Sequence, residues 1–100
     1  MIHGRVQGNL SPNVAAGEGN LGVMYQKRAH RAQNAQDYDH QLVNLEKALP
    51  HFREAIRIYR AINLVECAEI AERKVVVVQE TMERVIAVRA AMRLVAAASR

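Results

Sequence analysis

The chain has 100 residues, and much of its character lies in what it lacks: no tryptophan, one cysteine, two prolines and only 4% aromatic residues. A lone cysteine, Cys67, forms no internal disulfide, so a disulfide-stapled fold is excluded and a reducing, cytoplasmic setting is expected. No apolar run approaches the roughly 20 residues that span a bilayer, so a soluble chain is expected. The opening MIHGRVQGNLSPN has no apolar core of signal-peptide length. Glycine is absent after Gly22, and Pro50 is the single proline in that stretch. Acidic residues are absent after Glu83. Collagen and intrinsic disorder are excluded by composition, because half of the residues are apolar and large aliphatics are plentiful.

Gly and Pro are the strongest breakers of regular structure, so their distribution divides the chain. Residues 1–12 mix Gly, Asn, Gln and Ser without a period and are expected to form a flexible tail. Ser11 can cap, and Pro12 can open, a first helix. Residues 13–98 are expected to form a single all-α domain. The body is rich in Ala, Arg, Glu, Gln and Leu, all good helix formers. Leu42, Leu45, Leu49, Phe52, Ile56 and Tyr59 follow alternating steps of three and four, a helical seam. Ala48, Ala55 and Ile62 form a second stripe beside it. A helix with two adjoining apolar faces packs between two neighbours, so this is expected to be the middle helix.

Further on, Ala68, Ala71, Val75, Val78, Met82, Val85, Val88, Met92 and Val95 repeat the pattern, with one slip between Val85 and Val88. Val75-Val76-Val77-Val78 alone suggests a strand, but the surrounding period predicts helix. The first helix is the least marked. Leu21, Met24, Arg28, Ala32 and Ala35 hold helical spacing, while Gly17 and Gly19 argue for a late or soft start. Asp37 or Asp39 can cap the second helix, and Asn63 tolerates the left-handed conformation at its end. Short connections force antiparallel neighbours. The expectation is three long antiparallel helices at about 13–35, 39–62 and 64–98, with a kink rather than a break near Pro50.

Chemistry-bearing constellations are few. His51 and Glu54 lie one turn apart, and Glu66, Cys67 and Glu69 cluster at the start of the third helix. A zinc site needs three or four convergent N and S donors, so these read as solvent-facing groups on amphipathic helices. Asp37-Tyr38-Asp39-His40 lacks the length and central glycine of a calcium loop and reads as helix capping. Neither a nucleophile elbow nor a phosphate loop is present. No enzyme, cofactor or metal is expected.

Two fragments carry a family likeness. Leu21-Gly22-Val23-Met24-Tyr25 matches a Leu-Gly-x-x-Tyr element, and Ala48-Leu49-Pro50-His51-Phe52-Arg53-Glu54-Ala55 matches Ala-x-x-x-Phe-x-x-Ala. Together with Tyr38-Asp39 these make roughly residues 20–72 resemble a tetratricopeptide repeat. Glu18 stands where that family has a large apolar residue, and Arg60 where its closing proline falls. The spacing between the two motifs implies long helices, resembling the kinesin light chain type. The resemblance implies a helical hairpin plus a following helix, acting as a protein–protein interaction scaffold. It also implies that Tyr25, Arg28 and Asn34, on the first helix, line a groove for a protein or peptide partner.

Charge supplies two rival readings. The formal charge is +4 with a pI near 9.7, and Lys27-Arg28-Ala29-His30-Arg31 is a short basic run. A basic nucleic-acid-binding protein is therefore an alternative, although few aromatics are available to stack bases. The other rival is self-association as a helical bundle or coiled coil. A third helix of this length outruns the second near Val88, leaving Met92 and Val95 on an apolar stripe facing water. Arg89, Arg93 and Arg100 fall within about 40° of one another beside it. Arg89, Met92, Arg93 and Val95 are thus candidate contacts: with an acidic protein groove or anionic membrane, with another chain such as a second copy through the C-terminal helix, or with a following repeat. The alternative for the arginines is a solvated face that opposes the helix dipole.

Overall fold

A computed structural model describes residues 10–99, and the nine residues before them, most of the expected tail, lie outside the described part. The fold is all-α: α1 (Pro12–Asn34), α2 (Tyr38–Ala61) and α3 (Val65–Ala98). Each boundary falls within a residue or so of its expected place. Ser11 caps α1 by accepting the Val14 N–H at 3.1 Å, with Pro12 in the first turn. The valine run is helical, and α2 runs through Pro50 without a break.

Both turns are built alike. The N–H of Asp37 returns to the Ala32 carbonyl at 2.8 Å and that of Gln36 to Gln33 at 2.9 Å, with Gln36 at φ 57°. At the second turn Leu64 returns to Tyr59 at 2.8 Å and Asn63 to Arg60 at 3.1 Å, with Asn63 at φ 68°. These are Schellman closures, in which one left-handed residue satisfies the last carbonyls of the helix. Each turn leaves three residues between helices, so the neighbours run antiparallel.

α2 is the middle helix, with α1 on one side and α3 on the other; α1 and α3 barely meet. The core gathers Leu42, Leu45, Ala48, Phe52, Ala55 and Ile58 of α2 with Ala68, Ala71, Val78 and Val85 of α3. The expected α2 seam needs adjusting. Leu45 and Phe52 are buried, but Leu49, Ile56 and Tyr59 are only half-buried, and Ile58 is buried in their stead. With a neighbour on each side, the buried arc is wider than a single seam.

The first helix departs further from expectation. Its buried residues are Ala15, Gly22 and Ala29, seven apart, whereas Leu21, Arg28 and Ala35 are exposed. α1 packs by lacking bulk: a Cβ at Gly22 would lie 2.6 Å from Phe52 Cε1 and Cζ. The helices are therefore as close here as backbone and ring allow. The molecule is long, 64 × 22 × 20 Å. Its radius of gyration is 17.1 Å, against about 13 Å for a compact domain of this size.

Candidate functional site

Because α1 and α3 flank α2 without closing on each other, a groove runs between them with α2 as its floor. Its larger section holds about 640 Å³ and is lined by Gln26, Ala29, His30 and Gln33 of α1, Gln36 in the turn, Tyr38, Gln41 and Leu45 of α2, and Thr81, Arg84, Val85 and Val88 of α3. A smaller section of about 240 Å³ lies toward the other end, between Val23, Phe52, Ala55, Tyr59, Cys67 and Ile70. The half-buried Cys67 thiol is part of this apolar wall.

One floor residue stands out. Gln41 is 3% exposed, the single polar residue in an otherwise apolar core. Its side chain forms no hydrogen bond among the described residues. No buried side-chain polar atom among them is sealed off without a partner, so the amide opens into the groove. A buried amide without a protein partner costs on the order of 1–3 kcal/mol unless water or a ligand satisfies it. Four glutamines thus line one concavity, and each side-chain amide has donor and acceptor capacity.

Residues expected to line a groove lie mostly elsewhere. Tyr25 and Arg28 sit outside both sections. Tyr25 stacks on His51 of α2, with ring centroids 5.5 Å apart and planes 11° from parallel. Arg28 Cζ lies 5.4 Å, and Lys47 Nζ 5.9 Å, from the same ring centroid. His51 is not solvent-facing and does not pair with Glu54. Its Nδ1 meets Glu18 Oε2 at 2.7 Å, with both side chains about three-quarters buried. An ionised carboxylate only accepts, so Nδ1–H is the donor. The unusual Glu18 thus has a partner on the neighbouring helix, while Glu54 pairs with Arg57. Asn34 is exposed at the end of α1 and outside the groove lining. In the basic run Ala29 is buried, and Lys27, His30 and Arg31 line a shallow hollow of about 460 Å³ on α1.

The C-terminal candidates do come together. Arg89, Met92 and Arg93, with Ala96, form one wall of a notch of about 310 Å³ whose other wall is Gln36, Asp37, Tyr38 and Asp39. Arg89 Nη1 donates to Asp39 Oδ1 at 2.9 Å, so this arginine is used within the chain. Asp37 caps α2, accepting the His40 N–H at 3.2 Å and pairing with its Nδ1 at 2.5 Å. The His40 backbone donor, aided by the imidazole, holds the Asp37 carboxyl below the ordinary aspartate value. Val95 lies past the notch, 60% exposed.

Among the described residues no three His, Cys, Asp or Glu side chains gather closely enough to hold a metal ion. No described helix is long and apolar enough to cross a membrane. Comparison with protein-family models, with curated proteins and with solved structures finds no match.

Proposed function

We propose that this chain is a helical protein-interaction module whose groove takes an extended segment of a partner protein. The observation that carries this reading is Gln41: a buried side chain with no hydrogen bond among the described residues, lining a concavity that three further glutamines share. Peptide groups in an extended segment have free N–H and C=O, and side-chain amides offer the complement of both. Leu45, Val85 and Val88 beside them provide apolar contact for alternate side chains of that segment. A tetratricopeptide-like scaffold, as the Leu21–Tyr25 and Ala48–Ala55 motifs suggest, is compatible with this use. On this reading the groove acts by binding and performs no chemistry, and the module works inside the cell. Gln26, Gln33, Gln41 and Thr81 then make the polar contacts in the groove, and Tyr25, Arg28 and Asn34 lie outside its lining.

Selection from a random peptide display library on the full chain tests the proposal. Peptides sharing a consensus should be enriched. Gln41→Leu should weaken them about tenfold, the worth of one good hydrogen bond. Val88→Arg, which fills the groove from an exposed position, should abolish them. Failure to enrich any consensus, or equal binding by both variants, overturns the reading.

A further inference from the structure

The seam by which α3 packs on α2 does not stop where α2 stops. Ala71, Val78 and Val85 recur every seven residues and are 6%, 0% and 6% exposed. The next member, Met92, is 49% exposed, and every residue from Ala90 to Ser99 is exposed. The reason lies in α2, which begins at Tyr38 opposite Arg89, so nothing in the described chain continues it. The overhang is also apolar well beyond its seam. Residues 85–98 contain two arginines and otherwise only Ala, Val, Ile, Leu and Met. A helix apolar nearly all round is normally buried.

The charges on either side of the notch are complementary. Arg93, exposed and without an ion pair among the described residues, projects from the overhang. The turn below carries Asp37 and Asp39, whose side chains are 44% and 71% exposed despite their contacts with His40 and Arg89. Cation and anions belong to the same chain, and the seam that needs covering is itself helical. A two-fold axis beside the overhang resolves both at once, because a patch that carries both signs and an open helical seam is complementary to a second copy of itself.

We propose that the overhang of α3 is a dimer interface for a second copy of this chain. The two overhangs lie antiparallel, each standing where the other's α2 would continue. Met92 and Ala96, which wall each copy's own notch, pack against the other overhang, and Arg93 reaches the partner's Asp37–Asp39 turn. Ten residues of helix make a contact only about 15 Å long. A stable interface engages roughly 20–30 residues a side, so the dimer is weak and concentration-dependent. This interface adjoins the groove, with Gln36 and Tyr38 lining both, but the two readings rest on different observations and either stands if the other falls.

Sedimentation equilibrium of the full chain, from micromolar to about 1 mM, is the test. The expected result is a monomer–dimer equilibrium that weakens as salt rises, since the ion pairs are exposed. Met92→Glu and Arg93→Glu should each raise the dissociation constant at least tenfold with unchanged helix content by circular dichroism. Arg73→Glu makes the same charge change at an exposed position far along α3 and should leave it unchanged. Val88→Arg, which blocks the groove, should also leave it unchanged. A strictly monomeric parent at about 1 mM overturns the proposal, as does equal weakening by Arg73→Glu and Arg93→Glu. Overhang-dependent binding of the monomer to anionic lipid vesicles would also overturn it and assign the surface to a membrane.

Discussion

Three glycines on one helix provide a sharp test of how α1 meets α2. Gly17, Gly19 and Gly22 all lie within α1, and ordinarily each costs about 0.8–1 kcal/mol relative to alanine. A Cβ at Gly17 or Gly19 meets nothing within 4 Å. Gly17→Ala and Gly19→Ala should therefore each stabilise by about 1 kcal/mol, raising Tm by roughly 4–8 °C in a domain of this size. At Gly22 the new Cβ would sit 2.6 Å from two atoms of the Phe52 ring, which is fully buried. Overpacking of this kind costs about 1–3 kcal/mol, and a clash this deep belongs at the upper end. Set against the propensity gain, Gly22→Ala should destabilise by about 1–2 kcal/mol. Urea unfolding followed at 222 nm measures all three. Repeating Gly22→Ala in a Phe52→Leu background should recover at least about 1 kcal/mol of coupling, because the pair touches directly. A Gly22→Ala variant as stabilised as Gly17→Ala would refute the close approach. A neutral Gly17→Ala would refute a helix that starts at Pro12.

Two further outcomes follow from the core and the first turn. Phe52→Ala should cost about 3–5 kcal/mol, a large share of the 5–15 kcal/mol of a typical domain, and a variant melting within a few degrees of the parent would contradict the packing. For Asp37 the folded carboxyl titrates below its ordinary 3.8. Its stabilising effect is complete above that value and is lost as pH falls through the lower, folded value. An NMR titration should find the midpoint below 3.8, and His40→Ala should move it part of the way back, since the backbone donor remains.

Helix number, length and order were legible because long aliphatic periods and correct punctuation agree. Asn63 announces its left-handed turn, and Ser11-Pro12 and Asp37 announce their caps. Gln36 occupies the same left-handed position as Asn63, yet nothing about glutamine marks it; the turn is imposed by the two helices it joins. The buried face of α1 was hidden for a different reason. Periodicity is read from large apolar side chains, and on α1 Leu21 points outward and Val23, Met24 and Tyr25 are only half-buried, while Ala15, Gly22 and Ala29 pack. A stripe of small residues seven apart was the available signal. The groove was missed for the same reason, since its α1 wall is Gln26, His30 and Gln33, polar residues that read as a solvated face. Glu18 and His51 are 33 residues apart, and no local pattern joins them.

The α3 seam shows how a single charged residue can divide one helix between two tasks. Reading the apolar step after Val85 as Val88 made the period slip. In the structure the seam instead runs from Val85 to Arg89 to Met92 and keeps its phase, while Val88 turns into the groove. An arginine at a seam position excludes burial under an apolar neighbour, and here its guanidinium turns to Asp39 at the start of α2. That places the cation where the intramolecular core ends. Before it, α3 is a core helix with a buried stripe; after it, the same heptad continues with no partner in its own chain. An exposed pair of this kind contributes about 0–1 kcal/mol, too little to be what keeps α3 folded. The buried stripe of Ala71, Val78 and Val85 sets the rotation of α3, and that same rotation places Met92 and Arg93 beside Asp37 and Asp39. The candidate interface is therefore positioned by the core packing that precedes it.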